Sequence, residues 1–94
     1  MNELDALAIH RNSIIIDGLN ASYFASPGVL TRLHAGDITA VNATLAAWHD
    51  LPATMALIAD MHAGLRLRSD RVMQVTNVAD IHAAKASQRV GMIF

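Results

Sequence analysis

No cysteine occurs in the 94 residues, which excludes disulfides, thiolate zinc ligands and a cysteine nucleophile. Basic runs are missing too. Seven Lys and Arg stand against eight Asp and Glu, without the clustering that recognition of a phosphate backbone requires, so nucleic acid is not an expected partner. No apolar run approaches the roughly 20 residues of a membrane-spanning helix. The opening "MNELDALAIHR" carries acids where a secretory leader carries bases. Neither a membrane span nor a signal peptide is expected, and a cytoplasmic location is favoured over export. Gly/Ser linkers, fixed-period repeats and low-complexity segments are absent as well. Charged residues reach only 16% while apolar residues make up 53%, the reverse of a disordered composition. A length of 94 residues suits a single α/β unit, 1–94, around one core.

What is present is an alternation of helical and strand patterns. Asn2 followed by Asp5 has the form of a capping box, and Leu4, Leu7 and Ala8 then share one helical face, which predicts a first helix. "SIIID" is a continuous β-branched run without alternation. It predicts a strand covered on both faces, as in a parallel sheet, ended by turn chemistry at Asp17-Gly18. Between Ser26 and Gly36, a Ser-Pro start, the apolar Val29, Leu30 and Leu33, and a glycine at the C′ position predict a short helix. "ITAVNATLAAW" predicts a second buried strand. Asp50 caps a long helix in which Met55, Ile58, Met61 (or His62) and Leu65 fall at spacings of three and four. "RVMQVTN" predicts a short strand, Asn77 with Asp80 opens a further helix, and "VGMIF" opens another strand. The predicted order is α-β-α-β-α-β-α-β, which implies right-handed crossovers and a parallel sheet. Phe94 falls inside an apolar run with no cap or polar tail, as expected of a chain that continues.

Asp17 is the first candidate for chemistry, because α/β enzymes place catalytic carboxylates at strand carboxyl ends, although Asp-Gly is also an ordinary turn. Asn20 and Asn42 would present amides at the same edge, or serve turns and caps. Trp48 would line a pocket there, or pack against a helix. The five histidines, His10, His34, His49, His62 and His82, form neither an H-x-H nor an H-x-x-x-H pair. They are therefore expected to be partly exposed helix residues and not metal ligands. Met55, Met61, Met73 and Met92 are expected to fill core space.

"IIIDGLNAS", "LTRLHAGDITAVNATLAAW" and "TNVADIHAAKASQRVGMIF", in this order and spacing, resemble the N-terminal part of the membrane dipeptidase (renal dipeptidase) family of amidohydrolase-like metallopeptidases. The resemblance covers nearly the whole chain. It implies an α/β fold, a partial TIM (β/α)8 barrel comprising the first three to four strands with parallel sheet and flanking helices. The family carries a two-zinc centre at the strand carboxyl ends and hydrolyses dipeptides, so a dipeptide-like small molecule is the implied partner of a full-length parent. The family's pattern after the first strand is Asp-Gly-His-x-Asp, whose His and second Asp bind zinc. Asp17 and Gly18 match it, while Leu19 and Ala21 stand where the two ligands belong. Asp17 is carried over as a carboxylate that supports the site without ligating. The family's bridging glutamate would lie beyond Phe94. The chain alone is therefore expected to bind no zinc and to be inactive. The alternative is a non-catalytic α/β module that self-associates through an exposed sheet edge, since an incomplete barrel leaves strands unpaired.

Overall fold

The computed structural model describes residues 2–94. In chain order the elements are α1 (Glu3–Asn12), β1 (Ile16–Asn20), α2 (Pro27–Ala35), β2 (Ala40–Ala43), α3 (Leu51–Leu67), β3 (Val72–Gln74), α4 (Val78–Ser87) and β4 (Val90–Ile93). Side-chain caps set three of the helix starts, each satisfying a backbone N–H that the helix itself leaves free. At α1, Asn2 Oδ1 accepts from Asp5 N at 2.9 Å and the Asp5 carboxylate accepts from Asn2 N at 3.2 Å, closing the expected capping box. Asp50 accepts from Ala53 N, and Asn77 from Asp80 N, both at 2.9 Å. α2 has no such bond at Ser26 and relies on Pro27, whose fixed φ suits a first helical turn.

All strands pair in parallel, in the order β1-β2-β4-β3. A barrel whose strands followed chain order would run 1-2-3-4. Here β4 enters between β2 and β3, so α3, β3 and α4 all lie within the excursion from β2 to its neighbour. The alternation of side chains along each strand then separates two faces. Val41, Val72, Val90 and Met92 point to one face and form the core with Phe24 and Leu30, with Met61 and Leu65 of α3 packed against it. Ala40 and Gly91 point to the other, where Ala84 of α4 lies close. Helices thus cover both faces at the sheet centre. This is the α/β architecture of parallel sheet and flanking helices that the sequence predicts.

Four local expectations are corrected. The isoleucine run is not covered on both faces: β1 is an edge strand with β2 as its one neighbour, and Ile14 and Ile16 are exposed. Asp17-Gly18 does not end the strand, which runs on to Asn20. Gly36 caps α2 with φ −85°, and the left-handed residue is Asp37 at φ 55°, a conformation that Asp tolerates better than most non-glycine residues. Met55 is exposed, whereas Met92 is fully buried and Met61 joins the core margin. The apolar face of α1 is likewise uncovered, and that helix buries no residue. Periodicity reveals which side chains share a face. It does not reveal what, if anything, lies opposite.

Gly91 is required for space. A Cβ at this position would meet Val75 Cγ2 at 2.5 Å and Ala40 Cβ at 3.3 Å, and both neighbours are stiff and buried. Gly91→Ala is expected to destabilise the chain by about 1–3 kcal/mol through overpacking, read from the urea midpoint. A second prediction concerns acid. Asp80 accepts from the Thr76 backbone N–H at 2.9 Å and from the Thr76 hydroxyl at 3.0 Å. These bonds hold its carboxyl below the ordinary value of 3.8, the backbone bond contributing most. A depressed folded-state value gives stability that is present above the unfolded value and is lost as pH falls through the folded one. Asp80→Asn is therefore expected to narrow the difference in urea midpoint between neutral pH and about pH 3.

Candidate functional site

Parallel sheets place ligands beyond their strand carboxyl ends, and in this sheet β1 shapes that rim. Asp17 pairs opposite Val41, and Asn20 opposite Ala43. Three steps along β1 therefore match two along β2, and the extra residue makes a bulge at Gly18–Leu19. The Asp17 carboxylate holds it. Oδ1 accepts from Leu19 N at 3.1 Å and Oδ2 accepts from Asn20 Nδ2 at 3.0 Å. Asn20 Oδ1 in turn accepts from Ser22 N at 2.9 Å, and its backbone carbonyl accepts from Thr44 N at 2.9 Å. The glycine contributes less than an Asp-Gly pair suggests. Gly18 is not in the left-handed region, and a Cβ there would meet nothing within 4 Å.

The structure brings Asp17 and Asn20 together and leaves the other rim candidates apart. Leu19 is 77% exposed, and Ala21, just past the strand, is exposed as well. Asn42 is exposed on β2, paired opposite Ile93. Trp48 lies in the segment before α3, 89% exposed, stacked on His49 with ring centroids 6.0 Å apart. Each of the remaining histidines sits on a helix. His10 Nε2 donates to the Gly36 carbonyl at 2.6 Å, and His62 meets the Phe94 ring edge-on with centroids 5.4 Å apart. Among the described residues no group of three or more His, Asp or Glu is placed to hold a metal. Leu19 and Ala21 offer no lone pair, and both Asp17 oxygens already accept hydrogen bonds. This donor set does not fit a zinc centre.

Two concavities flank the sheet. One, of about 510 Å³, lies below the amino ends of the strands, lined by Arg11, His34, Asp37, Lys85 and Arg89. There Lys85 Nζ donates to the Arg11 carbonyl at 2.6 Å, and Arg11 pairs with Asp37 at 3.7 Å. These cations complement the carboxyl ends of α1, α2 and α4. The other, of about 260 Å³, opens between the β1–α2 segment and α3, over the core residues Leu30, Val72 and Met92. Asp60, Arg68 and Tyr23 also line it. In the sequence alone these three read as ordinary surface residues, and the one local signal is Gly64 midway between Asp60 and Arg68.

Among solved structures the chain is similar to a crystal structure of an amidohydrolase from Pseudomonas aeruginosa, at 30% sequence identity and a TM-score of 0.83, over 92% of this chain and 26% of that one. The chain thus spans about a quarter of that protein's length. No family model matches the chain, and no curated protein matches it. The fold is amidohydrolase-like, consistent with part of a TIM barrel. Among the described residues no helix is long and apolar enough to cross a membrane.

If the carboxylate and not the glycine makes the bulge, two adjacent substitutions should part company. Asp17→Ala is expected to cost about 1–2 kcal/mol, as two acceptor bonds are lost. Gly18→Ala is expected to be neutral or stabilising by up to about 1 kcal/mol. Chemical denaturation of both variants checks this, and equal losses would return the glycine to the controlling role.

Proposed function

We propose that the chain is the N-terminal portion of a membrane-dipeptidase-like hydrolase acting on dipeptides or related amides, and that these residues by themselves neither hold zinc nor hydrolyse a peptide bond. The supporting observation is the likeness to an amidohydrolase over 92% of the chain, taken with Asp17-Gly18 at the rim of the first strand. In such enzymes a bound metal polarises the scissile carbonyl and lowers the pKa of the attacking water. The contribution of this segment is structural. The Asp17 carboxylate fixes the bulge that sets where residues 19 and 21 leave the strand, which are the positions of the ligand pair in the resembling family. With Leu19 and Ala21 there, the segment supplies shape without metal donors.

Calorimetric titration with zinc and a dipeptide hydrolysis assay test this together. The expected result for the 94-residue chain is no stoichiometric zinc binding and no turnover. Sub-micromolar binding or measurable hydrolysis would overturn it. In a longer protein that completes the barrel around this segment, Leu19→His with Ala21→Asp is expected to raise zinc affinity. An unchanged affinity there would undermine the match of "DGLNA" to the family pattern.

One observation favours a second reading, a non-catalytic module that pairs with itself. β1 is an edge strand, and Ile14 and Ile16 beside it are exposed. Unpaired strand edges flanked by apolar side chains template association. Sedimentation of the isolated chain separates the outcomes: concentration-dependent oligomers that Ile16→Lys dissolves support this reading, and a monomer at all concentrations removes it.

A further inference from the structure

The cavity of about 260 Å³ beside α3 combines features that neither a structural void nor a plain apolar groove needs. Its floor and wall are apolar, formed by Leu30, Leu57, Met61, Leu65, Val72 and Met92, and one acid and one base, Asp60 and Arg68, share the lining. The two do not pair with each other, since the one ion pair among the described residues is Arg11–Asp37. Arg68 is nonetheless drawn back along its own helix. A Cβ on Gly64 would meet its Nη2 at 2.5 Å and its Cζ at 3.5 Å, so the guanidinium lies in space that any side chain at residue 64 would contest. Gly64 lies one turn beyond Asp60. The guanidinium therefore lies beside residue 64, four rises or ~6 Å along the axis from the residue that carries the carboxylate.

An acid and a base on one wall of an apolar chamber, the base drawn back toward the acid along the helix, complement a molecule with the same pattern reversed. We propose that this cavity binds a free apolar α-amino acid, with its carboxylate on Arg68, its ammonium on Asp60 and its side chain against Leu30, Met61 and Met92. The size agrees: at ~30 Å³ per water molecule the space equals roughly nine waters, the scale of leucine or phenylalanine. The chemistry also discriminates. A fatty acid would leave Asp60 facing a carboxylate, and an alkylamine would leave Arg68 facing an ammonium. The guanidinium provides the stronger anchor, being half-buried and able to grip a carboxylate with two parallel bonds, whereas the exposed Asp60 is screened by water. The inference does not depend on the hydrolase reading, and either can fail alone.

Methyl NMR on the full chain with 13C-labelled methionine tests it, because Met61 and Met92 line the cavity and Met55 and Met73 do not. Titration with L-phenylalanine is expected to shift the Met61 and Met92 methyls saturably and to leave Met55 and Met73 in place. Hydrocinnamate and phenethylamine, which each keep one of the two charges, are expected to bind more weakly. Arg68→Gln is expected to weaken binding about tenfold, and Asp60→Asn about threefold. Gly64→Ala retains both charges and raises helix propensity, so folding is preserved while the guanidinium is pushed off its seat. It too is expected to weaken binding about tenfold, on the scale of one charged hydrogen bond. The proposal is overturned by an absence of saturable shifts, by equal shifts at Met55 and Met73, by one-charge analogues that bind as tightly as phenylalanine, or by an unaffected Gly64→Ala variant.

Discussion

The sheet depends on β4. Gly91 and Met92 pair with both β2 and β3, so until this strand is seated the two halves of the sheet have no connection. The seat is narrow. Gly91 N donates to the Thr39 carbonyl and Val75 N to the Met92 carbonyl, while the missing side chain at residue 91 lets Ala40, Val75 and Ala84 close in around the backbone. Val90 and Met92 on the opposite face meet the core beneath α2 and α3. One strand thus supplies hydrogen bonds sideways and packing on both faces. Because the partners Ala40 and Gly91 are just over fifty positions apart, the chain must close a long loop before that pairing is rewarded, which favours slow assembly over local nucleation.

With the centre fixed in this way, β1 is left at the margin, and its irregularity governs the rim. A carboxylate that accepts from the Leu19 backbone and the Asn20 amide turns an Asp-Gly pair into a bulge inside a strand. The same device places Leu19 and Ala21 at the surface. An amidohydrolase-like fold on its own does not carry function, which rests on the groups a site presents.

Much of the framework was legible in the residues. Asn2 with Asp5, Asp50, and Asn77 with Asp80 announce three helix starts because a short polar side chain before an apolar period has few better uses than an orphan N–H. The eight elements follow from those caps and from the β-branched runs. The position of each strand in the sheet was not legible. Ile14, Ile15 and Ile16 satisfy the composition of a central strand, yet neighbours are a property of the whole fold, and this run lies at the edge. Asp-Gly likewise serves a turn or a bulge with equal local chemistry, and the choice is made by the register with β2. The cavity charges were invisible for a related reason: Asp60 and Arg68 look like solvated helix residues until the arginine is seen lying back along the helix over Gly64.

The central claim is that the Asp17 carboxylate, and not turn chemistry at the glycine, shapes the rim. Its most direct test is hydrogen exchange, followed by NMR, at the Leu19 backbone amide, which donates to Asp17. Protection of that amide is expected to fall in Asp17→Ala and to persist in Gly18→Ala. A Leu19 amide that keeps its protection without the carboxylate, or loses it in Gly18→Ala, would contradict the claim.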